Sequence, residues 1–141
     1  MFKILILIDG SENSDRAVNY VIRLVPLLKA NLEIHLLNVQ PTVPGNVRRH
    51  ISQEELNKYH HDEGITALAS ARKLLDAAGI GYTYHIGVGD VSDIAAQYVR
   101  DKQLQQIVMG TRGLGSVARM LLGSVATRLI HSAEVPVLLV K

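Results

Sequence analysis

Five short apolar runs alternate with helical patterns along the whole chain, and this alternation restricts the fold more than any other property of the sequence. The runs are Phe2 to Ile8, Leu32 to Val39, Tyr82 to Val88, Leu104 to Met109 and Val135 to Val140. The first is nearly continuous in branched aliphatic residues and is closed by Asp9-Gly10-Ser11. That suits a central strand covered on both faces. The second sets Leu32, Ile34 and Leu36 against Glu33 and His35, which turns His35 outward, and Gln40-Pro41 stops it. Strands and helices in strict alternation predict an α/β fold: a parallel sheet, helices on both faces, right-handed crossovers.

The intervening segments carry helical signals. Ala17, Val18, Val21, Leu24, Val25 and Leu28 share one face, after an N-cap at Ser11 and an acid at Glu12. Pro26 removes the bond to Ile22 and predicts a kinked or shortened last turn. Residues 40 to 50 read as a loop, whose basic end Arg48-Arg49-His50 is a solvated cluster. Ser52-Gln53-Glu54-Glu55 is a capping box and opens a long helix that ends at Gly79. Gly64 inside it costs about 1 kcal/mol relative to Ala and predicts fraying or a bend. His60 and His61 are adjacent, hence on different faces, and read as surface residues. Asp90 and Asp93 read as the cap and first-turn acid of a helix carrying Val91, Ile94, Ala95, Tyr98 and Val99.

Composition sets the remaining bounds. A chain of 141 residues, 48% apolar, is expected to form one domain over residues 1–141 with a proper core. The 15 Lys and Arg nearly balance the 13 Asp and Glu, so no nucleic-acid surface is expected. The absence of cysteine removes disulfides and thiolate metal sites and fits a reducing compartment. No run reaches transmembrane length, and Met1-Phe2-Lys3-Ile4 does not open a signal peptide; a cytoplasmic protein without membrane contact is expected.

The stretch that carries chemistry is Met109 to Val125. Gly110-x2-Gly113-x9-Gly123-Ser124 stands between the strand Gln106 to Met109 and a last helix, Val125 to Ile130. Glycines after a strand let main-chain N–H groups approach phosphate oxygens with no Cβ in the way. A helix N-terminus beside them adds unpaired donors and the positive end of the dipole, and Ser124 adds a hydroxyl. The pattern is neither a Walker A loop nor the Gly-x-Gly-x-x-Gly of dinucleotide folds. A glycine-punctuated connecting loop is the competing reading. Asp9, at the carboxyl end of the first strand, reads equally as a turn or cap residue and as a ligand contact.

The full glycine pattern resembles the nucleotide-binding signature of the universal stress protein family, ATP-binding branch. Asp9-Gly10-Ser11 matches the family's motif after its first strand, and the resemblance covers the whole chain. It implies a three-layer α/β sandwich, Rossmann-like and of the adenine nucleotide alpha hydrolase-like type, with a five-stranded parallel sheet in the order 3-2-1-4-5. Strands one and four then adjoin, and Asp9 and Gly110 meet at the topological switch point. By the same resemblance, ATP lies across the crevice. Asp9 bonds the ribose hydroxyls, and Ile8 and Val39 hold the adenine by backbone groups and apolar contact. Met109 and Gly110 line the sugar side, while Arg112, Gly113, Gly123, Ser124 and Val125 surround the phosphates. Ala126 stands where family members often carry a hydroxyl residue, so one phosphate contact is missing. A magnesium ion would be held by the phosphates and water, since the sequence offers no cluster of carboxylates for a protein-built metal site.

No paired general acid and base, no defensible Ser-His-Asp set and no Walker lysine is present. Slow hydrolysis of ATP is compatible with such a site but not required. The signatures of nucleotidyl transferases and ATP pyrophosphatases, His-x-Gly-His and Ser-Gly-Gly-x-Asp-Ser, are absent. The expected function is a nucleotide-dependent regulatory dimer in stress response; the alternative is a nucleotide-free interaction or scaffold dimer of the same fold. The homodimer is expected through Val135 to Val140, an apolar strand at a sheet edge that invites a second copy. Pro136 restricts where that pairing starts.

Overall fold

In the computed structural model, residues 1–111 and 123–141 are described. The five apolar runs form β1 (Phe2–Leu7), β2 (Leu32–Gln40), β3 (Thr83–Val88), β4 (Gln106–Gly110) and β5 (Val137–Val140). They make one all-parallel sheet in the order β3-β2-β1-β4-β5. The register sets Leu7 against Leu37, Ile6 against Val108 and Gly110 against Val140.

β1 occupies the middle, and the lack of alternation in its sequence follows from that place: Ile4, Leu5 and Ile6 are 2% exposed or less. On one face Ile4, Ile6, Ile34, Leu36 and Val108 pack against α1 (Glu12–Leu24) and α3 (Gln53–Ala77), through Ala17, Val18 and Val21 and through Leu68, Ala71 and Leu75. On the other, Leu5, Leu7, Leu37, Ile107 and Met109 pack against α4 (Val91–Lys102) and α5 (Ser124–Ser132), through Ala95 and Val99 and through Ala126 and Leu129. The result is the three-layer α/β sandwich expected from the sequence. No helix among the described residues is long and apolar enough to cross a membrane.

Several local expectations are met. Ser11 caps α1 and accepts from the Ser14 N–H; Ser52 and Glu55 close a reciprocal capping box on α3; Asp90 caps α4 and accepts from the Asp93 N–H. Pro26 falls in a single 3-10 turn, Val25–Leu27, which replaces the last turn of α1.

Other expectations are corrected. Gly64 neither frays nor breaks α3, which runs unbroken from Gln53 to Ala77. A Cβ at Gly64 would come within 2.6 Å of the Ile86 side chain, so glycine admits β3 close against the helix. His60 is no surface residue: it is 6% exposed and lies on the buried stripe Leu56, His60, Gly64, Leu68, whose steps of four carry it inward. His35 does not face outward either. It is 6% exposed, with Nε2 2.7 Å from Glu33 and Nδ1 2.9 Å from the Tyr98 hydroxyl. Both faces of β2 are covered, so a polar residue in its alternation is buried and paired rather than solvated. Within the expected loop 40 to 50 stands a one-turn helix, α2 (Gly45–Arg48), where the Pro44 carbonyl accepts from Val47 and Arg48. A single turn leaves no periodic trace in sequence. β5 begins at Val137, not Val135, because Pro136 has no N–H for the ladder, although its carbonyl accepts from Ile107 at 2.9 Å.

Candidate functional site

β1 lies between β2 and β4; the crossover after β1 leaves over one face of the sheet, and α5, which follows β4, covers the other. A crevice opens at the carboxyl ends of the strands where the order reverses. Here it is a cavity of about 170 Å³. Ile8, Asp9, Val39, Met109, Gly110, Gly123, Ser124 and Val125 all line it, although they come from four separate stretches of chain. Arg112 and Gly113, the other two expected site residues, lie outside the described residues.

Asp9 follows β1 and holds its own turn. Its Oδ1 accepts from the Ser11 N–H at 2.9 Å and from the Ser11 hydroxyl at 2.5 Å. Burial pushes the carboxyl up, but the hydrogen bonds from Ser11 outweigh it and keep the group below the ordinary aspartate value of 3.8. Asp9 is therefore a carboxylate at neutral pH, fixed at the mouth of the cleft. Ser11 in turn caps α1, so the acid, the turn and the helix start form one hydrogen-bonded unit.

Gly110 ends β4 beneath the first turn of α1. A Cβ at this position would collide with the Asn13 carbonyl, a backbone group that has no rotamer by which to yield. Glycine is thus required here by helix-on-strand packing alone, whatever the cleft holds.

α5 forms the opposite wall. Gly123 is its N-cap and supplies no side-chain hydrogen bond, whereas α1, α3 and α4 are each capped by a side chain: Ser11, Ser52 and Asp90. The first turn of α5 consequently brings N–H donors that find no partner among the described residues, and the positive end of its dipole, to the cleft at Ser124 and Val125. The helix is held in place from its far side. Arg128 reaches Asp90 at 2.5 Å, tying α5 to the start of α4. The Asp93 N–H, and the Arg128 guanidinium after it, lower the Asp90 carboxyl against a smaller opposing effect of burial.

The cleft floor is apolar. Ile8 and Met109 are 3% and 9% exposed. Leu7, Asn13, Ser14, Leu37, Val91 and Thr111 also line the cleft and were not expected from the sequence; Ala126, placed beside the phosphate contacts by the family resemblance, lines it too. Asn13 and Ser14 belong to the turn of α1 after Asp9-Gly10-Ser11, Leu37 shares the alternation of Val39, and Thr111 follows Gly110, so their positions were readable in principle. Val91 comes from the start of α4 and has no local signal. Among the described residues, no three His, Cys, Asp or Glu side chains are grouped to hold a metal ion.

Residues 1–141 match the model of the Universal stress protein family. A universal stress protein of Methanocaldococcus jannaschii is 32% identical over 140 residues, covering 99% of this chain and 81% of its own. Among solved structures, the hypothetical protein MJ0577 is 27% identical with a TM-score of 0.78, over 99% of this chain and 94% of that one. An Arabidopsis thaliana family member crystallised with AMP bound has a TM-score of 0.72 at 22% identity, over 100% of this chain and 92% of that one, and shares the fold.

Proposed function

Because the chain belongs to the universal stress protein family, we propose that it binds an adenine nucleotide, ATP in its working state, in the cleft between β1 and β4. In this reading it is a nucleotide-dependent regulatory dimer of the stress response, acting in the cytoplasm. The observation that carries the proposal is the uncapped start of α5, facing the fixed carboxylate of Asp9 across an apolar floor. Each part suits a different piece of the ligand. Phosphate oxygens match the free N–H groups and hydroxyl at Ser124 and Val125. Ribose hydroxyls match Asp9, and the base matches the apolar slot at Ile8, Val39 and Met109. Arg112 and Gly113 belong with the phosphate group by their place in the motif. A magnesium ion, where present, rides on the phosphates and water. A relative with the same fold holds AMP, which supports adenine as the base.

The dimer is proposed through β5. Thr111 and Ile107 donate to Val140 and Pro136, so the even-numbered residues of β5 turn their main-chain groups toward β4. Strand alternation turns the main-chain groups of Val137 and Leu139 to the open edge, where an antiparallel copy of the same strand can pair, while their side chains pack against the core under α4 and α5. The packing requirement at Gly110 favours a second reading, the nucleotide-free scaffold dimer, because it explains one motif glycine without a ligand.

Calorimetry separates the two. Wild type should bind ATP, and Gly123→Val should weaken binding at least about tenfold by covering the amides of α5. Protein that takes up no ATP, or a Gly123→Val variant with unchanged affinity, overturns the nucleotide reading.

A further inference from the structure

The β1–β2 ladder stops one rung earlier than the two strands could continue. Its last bond runs from the Ile8 N–H to the Leu37 carbonyl, 2.9 Å. In a parallel ladder the next rung would be the Val39 N–H on the Ile8 carbonyl. That rung is not made. The Ile8 carbonyl accepts instead from the side-chain amide of Asn38, Nδ2 at 2.8 Å. Asn38 is 3% exposed, and its orientation is fixed from the other end, where Gln40 Nε2 donates to Asn38 Oδ1 at 2.7 Å. Asn38 thus occupies the acceptor that Val39 would otherwise take.

The consequence falls on Val39. Alternate residues of a strand turn their N–H and C=O groups to the same side. Leu37 faces β1, since it accepts from Ile8, while Gln40 faces β3, since it accepts from Gly89. Val39 therefore faces the β1 side, beyond the end of β1, and it lines the cleft. Among the described residues, its N–H donates to no group. One donor and one acceptor of the main chain, side by side, are left open at the apolar end of the site.

We infer that Asn38 is a positioning residue: by ending the ladder at Ile8 it keeps the Val39 N–H and C=O free to read the edge of the bound base. This inference rests on the nucleotide reading given above and adds its selectivity. A main-chain donor next to an acceptor matches an adenine edge, with ring N1 accepting and the exocyclic amine donating. It opposes a hypoxanthine edge, where N1–H donates and O6 accepts. Discrimination of this kind arises because the wrong base leaves buried polar groups unpaired.

The test combines amide exchange and nucleotide selectivity. In unliganded wild type, the Val39 amide should exchange much faster than those of Ile8 and Leu37, and ATP should slow it. In Asn38→Leu, which has similar volume and no donor, the Val39 N–H should close onto the Ile8 carbonyl and become protected without ligand. The same variant should bind ATP about tenfold more weakly, and its preference for ATP over ITP should collapse toward one. A purely structural role predicts the opposite split: lower stability with an unchanged ATP to ITP ratio. A Val39 amide as protected as that of Leu37 in unliganded wild type overturns the inference and needs no variant to observe. So does an Asn38→Leu protein that keeps both affinity and preference. Wild type that binds neither nucleotide overturns the parent reading instead, and is told apart because the unliganded exchange pattern stands independently.

Discussion

Gly64→Ala sets two known effects of opposite sign against each other. In the middle of a 25-residue helix, alanine is favoured over glycine by about 1 kcal/mol, so α3 considered alone should gain stability. The sheet opposes it. The new Cβ would stand 2.6 Å from Cδ1 and Cγ2 and 2.7 Å from Cγ1 of Ile86. Comfortable carbon contacts lie near 3.5–4.0 Å, so helix and strand must separate by roughly 1 Å or Ile86 must leave its rotamer. Overpacking of this kind costs about 1–3 kcal/mol, leaving a net loss of roughly 1 kcal/mol. Ile86→Ala removes all three obstructing atoms at a cost near the low end of about 2–5 kcal/mol, since Ile86 is only partly buried. In that background Gly64→Ala should become stabilising, by about 1 kcal/mol. Urea unfolding of the wild type, both single variants and the double variant gives the coupling energy, expected near 2 kcal/mol. If Gly64→Ala stabilises the wild type, or has the same effect in both backgrounds within about 0.5 kcal/mol, the packing explanation for this glycine is wrong.

Further outcomes are expected elsewhere. Asp9→Ala should lower the stability of unliganded protein by about 1 kcal/mol, since it removes the bonds to Ser11, and should also weaken ATP binding; a thermal melt and a titration on one variant test both. Because the Asp9 carboxyl is lowered in the folded state, the stability it contributes is present above its unfolded value and is lost as pH falls through the lower folded one; urea midpoints compared between pH 5 and pH 3 should drop less in Asp9→Ala than in wild type. Val137→Lys and Leu139→Lys should sediment as monomers at micromolar concentration while wild type sediments as a dimer; a monomeric wild type, or dimeric variants, sinks the β5 pairing. Gly110→Ala should cost about 1–3 kcal/mol or more even in ligand-free protein, because the obstruction is the Asn13 backbone; a neutral result on chemical unfolding refutes the packing role.

The sheet order and both helical layers were legible because each element carries its own period, and because the glycine motif pointed to a family of known topology. Eight of the ten expected site residues meet in one cleft for the same reason, whereas Val91 reaches it from the start of α4, far from the motif in sequence. What sequence did not disclose is pairing across elements. His35 reads as outward by alternation, and only the presence of α4, with Tyr98 over it, makes it a buried partner of Glu33. His60 reads as polar and solvated until Leu56, Gly64 and Leu68 place it on the inward stripe. Gly64 looks like a weak point of a helix until Ile86 arrives from another strand. Asn38 gives no signal at all, since its role depends on a carbonyl 30 residues earlier in the chain.

The central place of β1 has a consequence in time. Its first neighbour, β2, follows it closely along the chain, but its second, β4, begins only at Gln106. At synthesis rates of about 5–20 residues per second, the free edge of β1 is without its partner for roughly 5–20 s. That edge belongs to Ile4, Leu5 and Ile6, the most water-averse surface of the finished sheet. A nascent chain of β1, β2 and β3 therefore exposes an unpaired strand whose residues Ile4 to Leu7 carry no charge to its neighbours on the same messenger, and the safe completion of the fold rests on how soon Gln106 to Gly110 leaves the ribosome.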